Sequence, residues 1–290
     1  MTDAVAAGGA VAERRSLANT LLRHGALILA SLVMLYPLLW LVGSSFKAND
    51  NIFTSVSIFP QHFTLGAYAR GWNGLQVSFG RFFTNSAVIA VLSVAGNVMS
   101  CSLAAFAFTR LQFRGRNLMF ALMLGTLMVP YHVTLIPQYV LFLNLDWVNT
   151  FLPLVVPKFL ATDAFFIFLM VQFFRGIPRE IDEAAVMDGC GPWRIYWRIM
   201  LPLSTPVLAT AAIFSFIWTW DDFFGPLIYL NDIETYTAQV GLRSFIDSGG
   251  QSDWAALFAM SVLGLVPVFL FFMFFQRLLI EGIATTGMKR

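Results

Sequence analysis

A chain of 290 residues that is 58% apolar and only 12% charged, with a mean hydropathy of +0.72, carries more apolar surface than a soluble domain can hide. Its net charge of +2 gives nucleic acid no footing, because the basic residues are distributed along the chain and form no patch. Two distant cysteines, Cys101 and Cys190, suggest neither a disulfide nor a metal site, and the composition is that of an all-α polytopic membrane protein.

The first apolar run, Gly25 to Gly43, follows Arg14, Arg15 and Arg23. A cleavable signal peptide competes for such a basic start. The run is about 19 residues, near the ~20 that span a bilayer and longer than the 7–15 of a signal core, and it ends in Gly-Ser-Ser without a cleavage pattern. It is read as a retained first helix. Residues 1–24 are then a cytosolic N-terminal segment and residues 25–290 the membrane domain.

Residues 46–85 are too polar for lipid and too short for an independent domain. Most of their aromatics (Phe53, Phe59, Phe63, Tyr68, Trp72, Phe79, Phe82, Phe83) are placed along the outer interface, with part of the segment free to meet an external partner. The second span, Ser86–Thr109, carries Gly96, Ser100 and Ala104 at four-residue intervals, a small-residue ridge that permits close helix packing in lipid. Ala211, Ser215 and Thr219 repeat the pattern in the fifth span. Packing within the chain is one use of these ridges and a seam to a second subunit is the other.

The third span, Leu118–Tyr131, meets Pro130, where the helix is predicted to break, and Pro137 is predicted to start a short surface helix. The fourth, Thr150–Phe174, contains Pro153, Pro157, Lys158 and Asp163. A charge at a span's centre costs about 2.5–3.5 kcal/mol on insertion scales. Lys158 can snorkel outward, whereas Asp163 should face protein or a water-filled cavity, in a structural role or a solute-binding one.

Residues 177–203, IPREIDEAAVMDGCGPWRIYWRIMLPL, form a charged, helix-forming island between apolar spans. Pro178 suits a first helical turn, and Glu180, Asp182 and Glu183 sit where the positive helix start favours acids. Gly189 is placed to end the helix in a left-handed cap, and Pro192 favours a fresh start. Ile181, Ala184, Ala185 and Asp188 share one narrow face whose alanines would let a partner approach the backbone. A basic loop lying on lipid head groups is the bland alternative.

The fifth span, Leu203–Trp220, ends in Trp218-Thr219-Trp220-Asp221-Asp222-Phe223. Rings beside carboxylates suit a sugar, since a ring covers C–H faces while acids accept from hydroxyls; an interfacial aromatic anchor is the alternative. With the sixth span, Ala255–Gln276, and both termini inside, 13 of the 18 basic residues are cytosolic, and outer segments hold acids such as Asp232, Glu234, Asp247 and Asp253. Lys47, Arg70, Arg81, Lys158 and Arg243 are the exceptions. This asymmetry sets the topology.

The string Glu183-Ala184-Ala185, Asp188-Gly189, Ile199 and Leu201-Pro202 resembles the EAA loop of the membrane subunits of bacterial ABC importers. FPQHFTLGAY and Asn85-Ser86 resemble segments of carbohydrate-importer permeases. Trp220-Asp221-Asp222-Phe223 resembles the family's Trp-Asn-Asp/Glu-Phe motif, with Asp221 in place of asparagine. Thr237, Val240-Gly241-Leu242 and Trp254 resemble the family's outer loop, and Phe275-Gln276-Arg277, Gly282, Gly287 and Lys289 its tail. Cys190-Gly191 stands where the family has Ala-Ser or Ala-Asn. The match runs from about Leu38 to the end and is closest to the smaller permease of importers for oligosaccharides and glycerol-phosphate-type solutes.

This resemblance implies the fold of a type I importer transmembrane domain, six helices with a cytosolic coupling-helix loop (177–203) between helices 4 and 5, in a bacterial plasma (inner) membrane. Glu183, Ala184, Ala185, Asp188 and Gly189 would couple to an ATPase cleft. Asp163, Trp218, Trp220, Asp221 and Asp222 are candidates for the solute pathway. The implied partners are a second homologous permease in a heterodimer, two ATPase subunits, an extracytoplasmic solute-binding protein and membrane lipid. ATP and Mg would lie on the ATPase, because a P-loop needs Gly-Lys-Ser/Thr and the three lysines, Lys47, Lys158 and Lys289, have no such setting. Neither a catalytic constellation nor a metal cluster is evident, and His24, His62 and His132 are scattered, so a transport subunit is expected and a membrane enzyme lacks support. The competing class is a self-contained, ion-coupled secondary carrier. It predicts an internal repeat and paired intramembrane acids, and neither is seen in the sequence.

Overall fold

The computed structural model describes residues 3–54, 57–60, 62–246 and 252–287, with side chains described over 19–54, 57–60, 62–246 and 252–276. Of the charges used above, Asp247, Lys289 and Arg290 lie outside the described residues, and Arg14, Arg15 and Arg277 outside the described side chains. Among the described residues every regular element is a helix, and none is a strand. Among the described residues four helices are long and apolar enough to cross a membrane, and two sharply bent pairs raise this to six when each pair is one span.

In chain order the helices are α1 (Asp3–Ser44), α2 (Gly66–Asn73), α3 (Phe79–Arg110), α4 (Arg116–Thr126), α5 (Tyr131–Asn144), α6 (Leu152–Val155) and α7 (Ala164–Arg175). After them come α8 (Glu180–Met187), α9 (Pro192–Ile195), α10 (Leu201–Leu203), α11 (Thr205–Trp220), α12 (Phe224–Tyr229), α13 (Ala238–Arg243) and α14 (Trp254–Gly287). A 3-10 turn, Val156–Leu160, separates α6 from α7, and a π turn, Tyr196–Met200, joins α9 to α10.

Helix α3 is the spine, packed along its length against α7 and α11, and α14 packs on α11 and on the start of α3. In lipid, apolar burial does not favour a helix over an acyl chain, so this core depends on close approach and hydrogen bonds. Gly96 supplies the approach: a Cβ there would sit 2.8 Å from the Phe159 ring and 3.0 Å from the Lys158 carbonyl carbon. Ser100, one turn on, donates to the Lys158 carbonyl at 2.7 Å, and Asn97 donates to Ser215 of α11 at 2.9 Å. Both small-residue ridges therefore contribute to packing within the chain.

At the end of α3 opposite the 177–203 loop, the segment before it folds back as a cap. Phe79 and Phe82 are buried with Ala67, Ala255, Ala256 and Met260, so these two aromatics belong to a core, while Phe53, Phe59 and Phe63 are exposed. Asn85 donates to the carbonyls of Glu234 and Tyr236, and Ser86 accepts from the Ala238 amide. Helix α3 thus starts six residues before Asn85-Ser86, and that pair holds the 232–243 segment.

Three spans depart from a straight rod. The third breaks at Pro130, as expected, through 102°. Pro130 caps α5 there, and Pro137 lies inside α5 instead of starting a surface helix. Helix α5 forgoes one i to i−4 bond at this proline and continues. The fourth breaks at the 3-10 turn and at Ala161, whose φ of 54° is in the left-handed region. The fifth bends by 77° at Ser204, between the 192–203 stretch and α11. Helix α1 is continuous from Asp3, and near its end Trp40 packs edge-on against Phe258 of α14 at 5.5 Å.

Candidate functional site

The polar loop 177–203 folds as two short helices meeting at Gly189. Helix α8 begins at Glu180 with Arg179 as its N-cap, so Pro178 lies just outside the first turn predicted for it; such ends vary by a residue or two. Glu180, Asp182 and Glu183 fall in the first turn, where exposed amides and the helix dipole favour carboxylates. Helix α8 ends in a Schellman motif. Gly189 has φ of +79°, its amide donates to Val186 O, and the Cys190 amide donates to Ala185 O, both at 2.9 Å. The chain then turns into α9 with Pro192 at its start.

The predicted face of α8 is split. Ala185 is buried in the core formed by Phe174, Tyr196 and Met200, whereas Ala184, Glu183 and Asp188 are open to solvent. Packing of α8 onto the spans takes Ala185 out of any partner's reach. The open surface instead adds two apolar side chains absent from the predicted face, Val186 and Met187, the latter 87% exposed. Glu183 makes no ion pair among the described residues.

What mounts α8 was not foreseen. The Arg110 Nε at the end of α3 lies 2.6 Å from an Asp182 carboxylate oxygen, and its Nη2 donates to the Ile177 carbonyl at 2.8 Å. Burial pushes the Asp182 carboxyl above its usual range, against the pull of Arg110 and Arg179. On the other limb, the Tyr196 and Ser102 hydroxyls are 2.7 Å apart and buried, with the Phe106 ring against Tyr196. The π turn beginning at Tyr196 places that ring under α3. The only hint in the sequence was that Arg110 closes the second span and Asp182 is an acid on a helix start. Their pairing depends on how the helices pack.

The pathway candidates scatter in environment. Asp163 accepts from Lys158 at 2.9 Å, so this lysine turns to its neighbour instead of snorkelling. Trp220 is buried and donates from its indole to the Gly264 carbonyl at 3.0 Å, which turns it away from any aqueous path. Asp222, two residues before α12, accepts from the Gly225 amide in that helix. Trp218 is half exposed in a patch with Phe165 and Phe214, and Asp221 is exposed beside Gln239. Trp218 and Asp221 alone among the five are both open and polar-tipped. Among the described residues no cluster of His, Cys, Asp and Glu could hold a metal ion.

Comparison with known proteins places this architecture. Residues 96–284 match the family described as binding-protein-dependent transport system inner membrane component. The diacetylchitobiose uptake system permease protein NgcG of Streptomyces coelicolor is 32% identical, over 88% of this chain and 84% of its own. The trehalose/maltose transport system permease protein MalG of Thermococcus litoralis is 31% identical, over 94% of this chain and 98% of its own. Among solved structures, a bacterial ABC transporter involved in the import of the acidic polysaccharide alginate superposes with a TM-score of 0.78 at 22% identity, covering 89% of this chain and 95% of the matched one. That likeness is one of fold.

Proposed function

We propose, because the chain belongs to the family of binding-protein-dependent transport system inner membrane components, that it is the permease subunit of an ATP-driven importer for a sugar or sugar-like solute. Its α8–α9 loop couples closure of a separate ATPase to alternating access. The observation that carries this is the loop itself: a helix capped at Gly189, held at one end of the spans by Arg110, and presenting Glu183, Ala184, Val186 and Met187 to solvent.

In this mechanism the chain forms half of a pathway with a second, similar permease in the bacterial plasma membrane, its termini in the cytosol. Two ATPase subunits bind ATP and Mg and close. Their clefts carry α8 of each permease inward, Glu183 pairs with basic groups in the cleft, and Gly189 lets α8 and α9 keep their angle. The spans then switch from inward- to outward-facing, and an extracytoplasmic binding protein delivers the solute. Trp218 and Asp221 are the side chains of this chain suited to meet a sugar ring and its hydroxyls. Relatives named for diacetylchitobiose and for trehalose and maltose support the solute class. A self-contained carrier is not favoured, since Lys158 neutralises the deep acid Asp163 that an ion would need.

The test is reconstitution in vesicles. The chain with its partner permease, ATPase subunits and binding protein is expected to accumulate one of maltose, trehalose or diacetylchitobiose only with ATP, and Ala184→Cys is expected to crosslink to the ATPase. Uptake by the chain without nucleotide would replace this reading with the carrier.

A further inference from the structure

Covalent continuity alone would deliver the motion of α8 to its neighbours in the chain, α7 and the α9–α11 limb. The side chains point elsewhere. Arg110, with only 7% of its side chain exposed, bridges Asp182 on α8 and the Ile177 carbonyl before it, so one guanidinium holds both sides of the loop's entry. Ser102, two turns back on α3, meets Tyr196 beyond the bend. Both limbs of the loop are thus fastened to one helix that is remote in sequence. A buried ion pair is a poor source of stability, because desolvating both charges offsets their attraction. A planar guanidinium that pairs with a carboxylate and donates to a carbonyl instead fixes orientation.

We propose that Arg110 and Tyr196 are positioning residues that make the loop and α3 one rigid body, so that the stroke received by α8 is handed directly to the second span. This rests on the docking role proposed for α8. Because α3 packs along both α7 and α11, moving it moves the core of the subunit together. Loss of the fastening leaves α8 free to follow the ATPase while α3 lags.

The experiment uses the reconstituted complex with Cys101 and Cys190 replaced and spin labels at Glu180→Cys on α8 and Val91→Cys on α3. With Arg110 and Tyr196 present, the distance between the labels is expected to be the same without nucleotide and after trapping with ATP and vanadate. With Arg110→Ala, or with the milder Tyr196→Phe if Arg110→Ala does not insert, trapping should shift or broaden that distance, and ATP-driven uptake should fall roughly tenfold or more while ATP hydrolysis persists. A distance that changes on trapping in the unsubstituted chain, or that stays fixed in both variants, overturns the proposal. The crosslink from Ala184→Cys to the ATPase, run in parallel, separates the two levels. Its presence with a failed distance test removes only the fastening, and its absence removes the docking role as well.

Discussion

Lys158 and Asp163 neutralise each other inside the fourth span, Nζ donating to the carboxylate at 2.9 Å across the break at Ala161. The backbone there is tied to α3 as well, through Ser100 to the Lys158 carbonyl. Lone charges at this depth are costly, about 2.5–3.5 kcal/mol on insertion scales. Lys158→Met or Asp163→Leu is therefore expected to lower the yield of inserted protein and its melting temperature in detergent, and the double substitution to recover most of both. A double variant as impaired as the singles would show that the charges themselves, and not their mutual cancellation, are required.

Gly189 occupies the left-handed region with open space where a side chain would go, so a substitution there meets backbone strain without a clash. Left-handed geometry costs an L-residue roughly 1–2 kcal/mol, least for Asn and most for β-branched residues. Gly189→Asn is expected to keep most ATP-driven uptake and Gly189→Val to abolish it, with both inserted in the membrane to the same extent. Uptake assays normalised to membrane protein separate the two.

The cap at Gly189 and the break at Pro130 were legible because each depends on the conformational limits of one residue. The spans were legible because only long apolar runs cross lipid. Helices that are apolar on all sides hide which face meets protein. Trp220, two residues from exposed Trp218, therefore looked equally able to line a path, and only packing against α14 shows it buried. Ala185 and Ala184 differ in the same way. Asp182 was read only as an acid at a helix start and Lys158 as a snorkelling cation, and their partners depended on tertiary contacts that no local pattern records.

Gly96 marks a close approach of α3 to the broken fourth span. A Cβ at 2.8–3.0 Å from Phe159 and from the Lys158 backbone cannot be absorbed by side-chain motion alone. Gly96→Val is expected to cost about 1–3 kcal/mol through overpacking. Gly264, which has nothing within 4 Å of a Cβ, provides the control, and Gly264→Ala should be close to neutral. Thermal unfolding in detergent measures both.

Glu183 presents the sharpest case for the ATPase contact, since it is exposed, sits in the first turn of α8 and makes no ion pair among the described residues. Two effects of different size follow from Glu183→Lys. Within the chain, a cation at a helix start loses the dipole interaction, a cost of about 0.3–1 kcal/mol at a solvated site. That is too small to unfold a helix pinned by Arg110 and by buried Ala185. At a basic cleft, the same change replaces attraction with repulsion, which at an interface costs several kcal/mol. The variant is therefore expected to insert normally and to lose at least about tenfold in co-purification with the ATPase subunits, whereas Glu183→Gln, which removes charge without reversing it, falls between. Equal recovery of the ATPase with all three side chains would mean that this carboxylate does not face a basic partner, and the docking surface would then have to be sought around Val186 and Met187.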